Sequence, residues 1–113
     1  MKFSSVRKYA LSLPEAAEAP HFNYASFRVR GKIFVTVPPG DEFIHIFVSD
    51  ESREQALALY PQFVERLMWG NKVIGVRITL AGAIPSVVKG LIFSAWQRKA
   101  PKSLQEKAFD TLG

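Results

Sequence analysis

The sequence contains no cysteine, which excludes a disulfide framework, a thiolate nucleophile and a cysteine-ligated metal site. No apolar run approaches the roughly 18 residues that a membrane-spanning helix needs. The only histidines are His21 and His45, with no carboxylate at a catalytic spacing and no phosphate-binding loop in the chain. These absences argue against an enzyme, a cofactor and a membrane location. The lack of cysteine also fits a protein of the reducing cytoplasm.

Acidic residues are missing from residues 66–105, which hold seven of the fifteen lysine and arginine residues. Residues 1–65 carry seven basic and eight acidic side chains, so the net charge of +5 comes from the later part of the chain. A basic, acid-free segment favours an anionic partner such as nucleic acid. A basic surface without any specific partner would give the same counts, so both interpretations remain open.

The length of 113 residues and the hydrophobic content of 48% predict one domain with one core, over residues 1–113. Apolar spacing predicts a first helix capped by Ser4 or Ser5, a second beginning near Ser49 or Asp50, and a third beginning at Pro85. A short closing helix is expected over residues 102–112. The strands between the helices are joined by tight turns. This order predicts an α+β fold, with a mostly antiparallel sheet and helices packed on one face.

Residues 25–37 alternate between apolar and polar side chains, which predicts a β-hairpin. A three-residue loop, Val29 to Gly31, would place Arg28 opposite Lys32. Residues 15–20 read as a connection, and residues 21–24 as the beginning of a short edge strand. The hairpin carries three cations near its tip, so it is a candidate contact arm.

The predicted sheet has two different faces. The face that should meet the helices is apolar: Phe27, Ile33, Val35, Ile44, Ile46, Val76 and Ile78. The opposite face mixes rings with cations: Arg28, Lys32, Phe34, Phe43, His45, Phe47, Arg77 and Thr79. Such a mixture can stack bases and hold phosphates. Alternatively, the three phenylalanines of that face are packed beneath another segment or a second subunit.

Both tryptophans, Trp69 and Trp96, are expected to be at least half-buried. Trp69 is the better candidate for a side chain at the edge of a pocket.

Several short stretches occur together in order: Leu13-Pro14-Glu15, Pro20-His21-Phe22, Phe27 to Phe34, Trp69-Gly70 before the strand of Arg77, and Ala95-Trp96 to Ala100-Pro101-Lys102. In these the chain resembles the MmcQ/YjbR-like family of small bacterial proteins. The resemblance implies a CyaY-like fold and DNA binding through a double wing of two hairpins. Here the wings would be the Arg28–Lys32 hairpin and the turn at Gly70-Asn71-Lys72.

The CyaY-like fold is shared with frataxin, which binds iron through an acidic ridge on its first helix. In this sequence the corresponding helix offers Arg7 and Lys8. Hard cations need clustered carboxylates, so the charge has the wrong sign. We therefore expect neither iron binding nor another metal site.

Two functions remain open. The first is DNA binding, mainly to the phosphate backbone of a duplex, through the cations Arg28, Arg30, Lys32, Lys72, Arg77, Arg98, Lys99 and Lys102. The second is a non-enzymatic protein-interaction or small-ligand-binding module that uses the aromatic sheet face. The sequence does not favour any oligomeric state.

Overall fold

A six-stranded antiparallel sheet forms the frame of the protein, and the computed structural model describes residues 1–106. The strands are β1 (Ala16–His21), β2 (Tyr24–Val29), β3 (Lys32–Val37), β4 (Phe43–Ile46), β5 (Val64–Trp69) and β6 (Lys72–Thr79). Their order across the sheet is β1-β2-β3-β4-β6-β5. The helices are α1 (Phe3–Ser12), α2 (Asp50–Leu59) and α3 (Pro85–Lys99). Residues 102–106 are also helical, and the rest of the predicted closing helix lies outside the described residues.

Within residues 1–106, the helices cover one face of the sheet. The side chains of this face form the core together with apolar residues of α1 and α3. The core residues that the sheet contributes are Phe27, Val29, Val35, Val37, Ile44, Ile46, Val76 and Ile78. Most side chains on the opposite face, here called the outer face, stay partly exposed, although Ser26 and Thr36 are buried. The α+β class with a helix-covered antiparallel sheet is therefore confirmed.

Helix starts follow the sequence signals in two cases out of three. Ser49 caps α2, because its Oγ accepts a hydrogen bond from the Ser52 amide, and Pro85 opens α3. The cap predicted at Ser4 or Ser5 is wrong. Both serines lie inside the first turn of α1, and Lys2 occupies the capping position without a side-chain hydrogen bond.

The first strand lies where the sequence suggested a connection. Residues 16–21 form β1 and pair with β2 along their whole length, so the edge strand predicted over residues 21–24 is wrong. Phe22 and Asn23 instead form the turn between these two strands. Half of the segment is alanine and it has no strand-like alternation, so its pairing with β2 decides its conformation. Pro20 is tolerated because β1 is an edge strand.

The turn between β2 and β3 contains two residues, not three. Arg30 and Gly31 both have positive φ, at 51° and 79°, which is typical of a type I′ hairpin turn. Val29 consequently faces Lys32, and Arg28 faces Ile33. The predicted three-residue loop and the predicted Arg28–Lys32 pair are both wrong, because a type I′ turn matches the strand twist without an extra residue.

A register shift in β3 changes which side chains reach the core. Phe27 faces Val35 and Arg28 faces Ile33, so Phe34 has no partner on β2, as in a β-bulge. Phe34 is fully buried in the core instead of lying on the outer face. Ile33 shares the outer face with Arg28. Lys32 shares the helix-covered face with Val29. The predicted faces of Lys32, Ile33 and Phe34 are therefore wrong.

Candidate nucleic-acid interface

The two turns predicted as wings lie at the same end of the sheet. Both β3 and β6 are antiparallel to β4, which lies between them, so β3 and β6 run in the same direction. The turns that precede them, at residues 30–31 and 70–71, therefore share one end, here called the turn end. The topology thus brings Arg30 and Lys32 to the same end as Lys72.

The C-terminus of α3 reaches the turn end as well. Nη1 of Arg98 donates hydrogen bonds to the carbonyls of Phe47 and Val48, directly after β4, at 3.2 Å each. Burial, and then the neighbouring charges of Arg98 and Lys32, lowers the pKa of Lys99. Lys102 follows three residues later. Six of the eight predicted cations are therefore gathered there: Arg30, Lys32, Lys72, Arg98, Lys99 and Lys102.

The turn end also contains carboxylates. Arg30 binds Glu15 through two hydrogen bonds of 2.7 and 3.0 Å, and Arg53 binds Asp50 at 2.6 Å. Glu51, at the start of α2, is exposed. The Arg30–Glu15 pair is exposed, and exposed ion pairs contribute little to stability, so a phosphate can compete for Arg30 at little cost.

The other two predicted cations lie on the outer face. Arg28 donates to Ser26 Oγ at 3.1 Å and to the Pro20 carbonyl at 3.3 Å. The guanidinium of Arg77 lies 3.8 Å from the centre of the Phe43 ring, and its Nε is 3.2 Å from a carboxylate oxygen of Glu65. The eight cations are therefore not on a single face, although Arg28 lies only one residue pair from the Val29–Lys32 pair at the turn end.

A pocket of about 280 Å³ occupies the outer face. Strands twist relative to one another, which makes a sheet saddle-shaped and brings two diagonal corners together on each face. On the outer face these are the end of β1 and the end of β5, and residues from both corners line the pocket. The lining residues are His21, Tyr24, Thr36, His45, Phe47, Leu67, Met68, Trp69 and Ile74.

The floor of this pocket is polar in one place. Thr36 Oγ1 and His45 Nδ1 lie 3.4 Å apart, and the Tyr24 ring is 6.1 Å from the imidazole. Burial, followed by the positive charge of Arg77, lowers the pKa of His45. The neutral imidazole, which has one donor and one acceptor nitrogen, is therefore favoured at neutral pH.

Two aromatic rings stand exposed at the corners that form the pocket. Trp69 is 76% exposed, whereas Trp96 is fully buried. The expectation that Trp69 is at least half-buried is therefore wrong, but Trp69 does line a pocket, as predicted. Phe22 is 92% exposed and has a φ of 57°. Sequence reasoning missed Phe22 because it placed this residue in a strand. Of the three phenylalanines predicted on the outer face, Phe43 and Phe47 are partly exposed and Phe34 is buried.

A family model supports the resemblance seen in the sequence. The model, described as YjbR, matches residues 11–98. The chain belongs to the YjbR family. The chain is also similar to the Deinococcus radiodurans protein DR2400, whose crystal structure is described as a DUF419 domain. The two share 17% identity with a TM-score of 0.74, over 95% of this chain and 87% of that one. At this identity the similarity supports the fold alone.

No functionally curated protein matches the sequence. Within residues 1–106, the helices are too short or too polar to cross a membrane. In the same range, histidine and carboxylate side chains do not form a group of three that could hold a metal ion.

Proposed function

We propose that this YjbR-family protein binds DNA, mainly through its phosphate backbone, with the turn end as the contact surface. The observation that carries the proposal is the meeting of both basic turns and the basic C-terminus of α3 at one end of the sheet. Lysine and arginine supply the salt-dependent, sequence-independent part of DNA affinity. The contact residues are Arg30, Lys32, Lys72, Arg98, Lys99 and Lys102.

The spacing of the two turns suits a duplex. The centres of the β2–β3 and β5–β6 hairpins are three strand spacings apart in the sheet. At about 4.8 Å per spacing, this separation is about 14 Å. The major groove of B-DNA is about 12 Å wide. Two turns at this separation can contact the phosphates on both sides of one groove, as a double wing requires.

The first test compares two variants that remove the same charge from different places. The variant Lys32/Lys72/Lys102→Ala removes three cations from the turn end, and the control Lys2/Lys8/Lys89→Ala removes three exposed lysines elsewhere. Each lowers the net charge from +5 to +2. We expect the turn-end variant to lose most of the duplex affinity at low salt, as measured by fluorescence anisotropy with a labelled duplex. The slope of log K against log salt should fall by roughly three.

The control variant should retain most of the affinity. If both variants weaken binding equally, binding depends on overall charge and the turn end is not the contact surface. If the unmodified protein does not bind duplex DNA at low salt, the proposed function is wrong.

A second candidate function is a protein-interaction or small-ligand-binding module on the outer face. The specific observation that favours it is the pocket of about 280 Å³ with the exposed ring of Trp69 at its edge. Exposed aromatic side chains beside a concavity are typical of binding sites. This candidate predicts a ligand that shifts the resonances of the pocket residues without any contribution from the turn-end lysines.

A further inference from the structure

The outer-face pocket is directly connected to the turn end. Trp69 and Lys72 are cross-strand partners, and they form the last pair of β5 and β6 before the turn at Gly70 and Asn71. Trp69 also lines the pocket. A phosphate bound by Lys72 would therefore lie within one nucleotide of an exposed indole ring.

We propose that the outer-face pocket binds an unpaired base of the DNA, so that the preferred ligand contains a single-stranded segment. This inference rests on the proposed function, because the turn end holds the backbone of the same strand. A duplex keeps its bases stacked and paired, so placing one in this pocket requires unstacking and unpairing energy that a single strand does not need.

The chemistry of the lining matches a base more closely than a purely apolar ligand. Trp69, Tyr24 and Phe47 offer ring faces, which stack on any base. The half-buried imidazole of His45, whose Nδ1 lies 3.4 Å from the buried Thr36 hydroxyl, offers a hydrogen-bonding group for the edge of a base. The volume, about 280 Å³, is just below the range of pockets that take drug-sized molecules, so it suits one ring system.

Charge favours a nucleotide over a second copy of this chain. Arg28 and Arg77 lie on the outer face, and Lys72 stands at its turn end. Glu65, the cross-strand partner of Arg77, adds one carboxylate, so these three cations leave the face with an excess of positive charge for a phosphate backbone that crosses it. Two copies placed face to face would bring the same cations together, which is unfavourable.

The distribution of tryptophan provides a direct test. The protein has two tryptophans, and Trp96 is fully buried, so quenching by a stacked base reports on Trp69. We expect a short oligothymidylate to quench the emission and to bind more tightly than a duplex of the same length. The probes are labelled for anisotropy, so both readouts come from one titration.

Variants of the pocket should separate base binding from backbone binding. Trp69→Ala and Tyr24→Ala should each weaken oligothymidylate binding by about 5- to 150-fold, the range for losing one stacked base. Both should leave duplex binding unchanged. Leu59→Ala is the matched control, since Leu59 is an exposed apolar side chain on α2 and does not line the pocket. Circular dichroism melts confirm that each variant folds.

The failure of this inference is distinguishable from the failure of the proposed function. If the pocket variants bind oligothymidylate as the unmodified protein does, while Lys32/Lys72/Lys102→Ala weakens it, the base site is wrong and the backbone surface stands. If neither probe binds, both proposals are wrong. Trp69 emission that depends on protein concentration, without DNA, would assign the pocket to a second copy of the chain and overturn the inference.

Discussion

His45 is a titratable side chain in the outer-face pocket, and its surroundings lower its pKa. Burial is the main cause that lowers its pKa, and Arg77, its cross-strand partner, adds to the effect. The carboxylate of Glu65 acts in the opposite direction but is the smaller influence. Protonation of His45 is therefore less favourable in the folded protein than in the unfolded chain.

This difference predicts a pH dependence of stability. Because the pKa in the folded state lies below the unfolded value of about 6.5, the unfolded chain binds the proton more readily. The free energy of unfolding should be at its full value above pH ~6.5 and should fall as the pH drops through and below it. We expect His45→Gln to reduce this fall, as measured by urea unfolding between about pH 7.5 and 5.5.

The variant His21→Gln is the control, because it removes the other histidine and leaves His45 in place. If His45→Gln and the unmodified protein lose stability in parallel over the same pH range, another group causes the dependence.

At the level of single residues, the sequence could predict chemistry better than position. The alternation over residues 32–37 indicates a strand, but it cannot reveal that Phe34 lacks a partner on β2 and is buried. The two tryptophans are similarly indistinguishable by type. Trp96 lies in an apolar helical stripe that predicts burial, whereas the exposure of Trp69 depends on its place in an edge strand, which only the topology defines.

The β1–β2 turn is an element with evident backbone strain. Phe22 has a left-handed conformation that costs an ordinary residue about 1–2 kcal/mol and that asparagine and glycine adopt more easily. Its ring contacts His21 edge-to-face, with the ring centres 4.9 Å apart, but is otherwise almost fully exposed. An exposed aromatic side chain in a strained turn adds little to stability, which is consistent with selection for binding.

This strain predicts that Phe22→Asn stabilises the protein. We expect the free energy of unfolding to rise by about 0.5–1 kcal/mol, because asparagine tolerates the positive φ. Phe22→Ala is the matched control: it removes the ring but lacks the short polar side chain with which asparagine hydrogen-bonds to the local backbone at positive φ, so it should bring no such gain. Urea unfolding measures both. Equal stability of the two variants would show that the backbone conformation at residue 22 is not strained.

At the level of elements, the sequence located most helices and strands within a few residues. It placed the β2–β3 hairpin correctly but not its turn, since the choice between two and three loop residues depends on strand twist. The alanine-rich β1 was missed because small side chains carry no alternating pattern. A strand of this kind forms where its neighbour offers hydrogen bonds, and a local pattern cannot show that.

At the level of the whole molecule, Trp96 connects distant parts of the chain. Its Nε1 donates a 3.1 Å hydrogen bond to the Pro14 carbonyl, 82 positions away, and its ring is fully buried in the core. This contact fastens α3 to the segment between α1 and β1. Both helices cover the same face of the sheet, so the bond helps to hold the helical layer together.

We therefore expect Trp96→Phe to destabilise the whole fold. The variant removes the donor and leaves a smaller ring in a filled core, and the free energy of unfolding should fall by about 1–3 kcal/mol. Trp69→Phe is the matched control, because Trp69 is mostly exposed, and its effect should stay within about 0.5 kcal/mol. Urea unfolding followed by circular dichroism compares them. Similar losses in both variants would contradict the stabilising role of the Trp96 contact.

Whole-molecule features divide into those that the sequence could predict and those that it could not. The order of elements and the short motifs predicted the α+β class and the family. The grouping of Lys32, Lys72 and Arg98 at one end depends on β4 lying between β3 and β6. That placement arises from a crossover through α2, and long-range strand pairing of this kind is not visible in local patterns.

The two open edges of the sheet have a consequence for self-assembly. Edge strands carry unpaired backbone groups that can recruit a strand from another molecule and begin fibre growth. Here β1 contains Pro20, which has no amide hydrogen, and Glu18, while β5 carries Glu65 and Arg66. Proline and charged side chains oppose edge-to-edge pairing. Within residues 1–106, the two edge strands are therefore poor templates for aggregation, although the helices leave the outer face of the sheet uncovered.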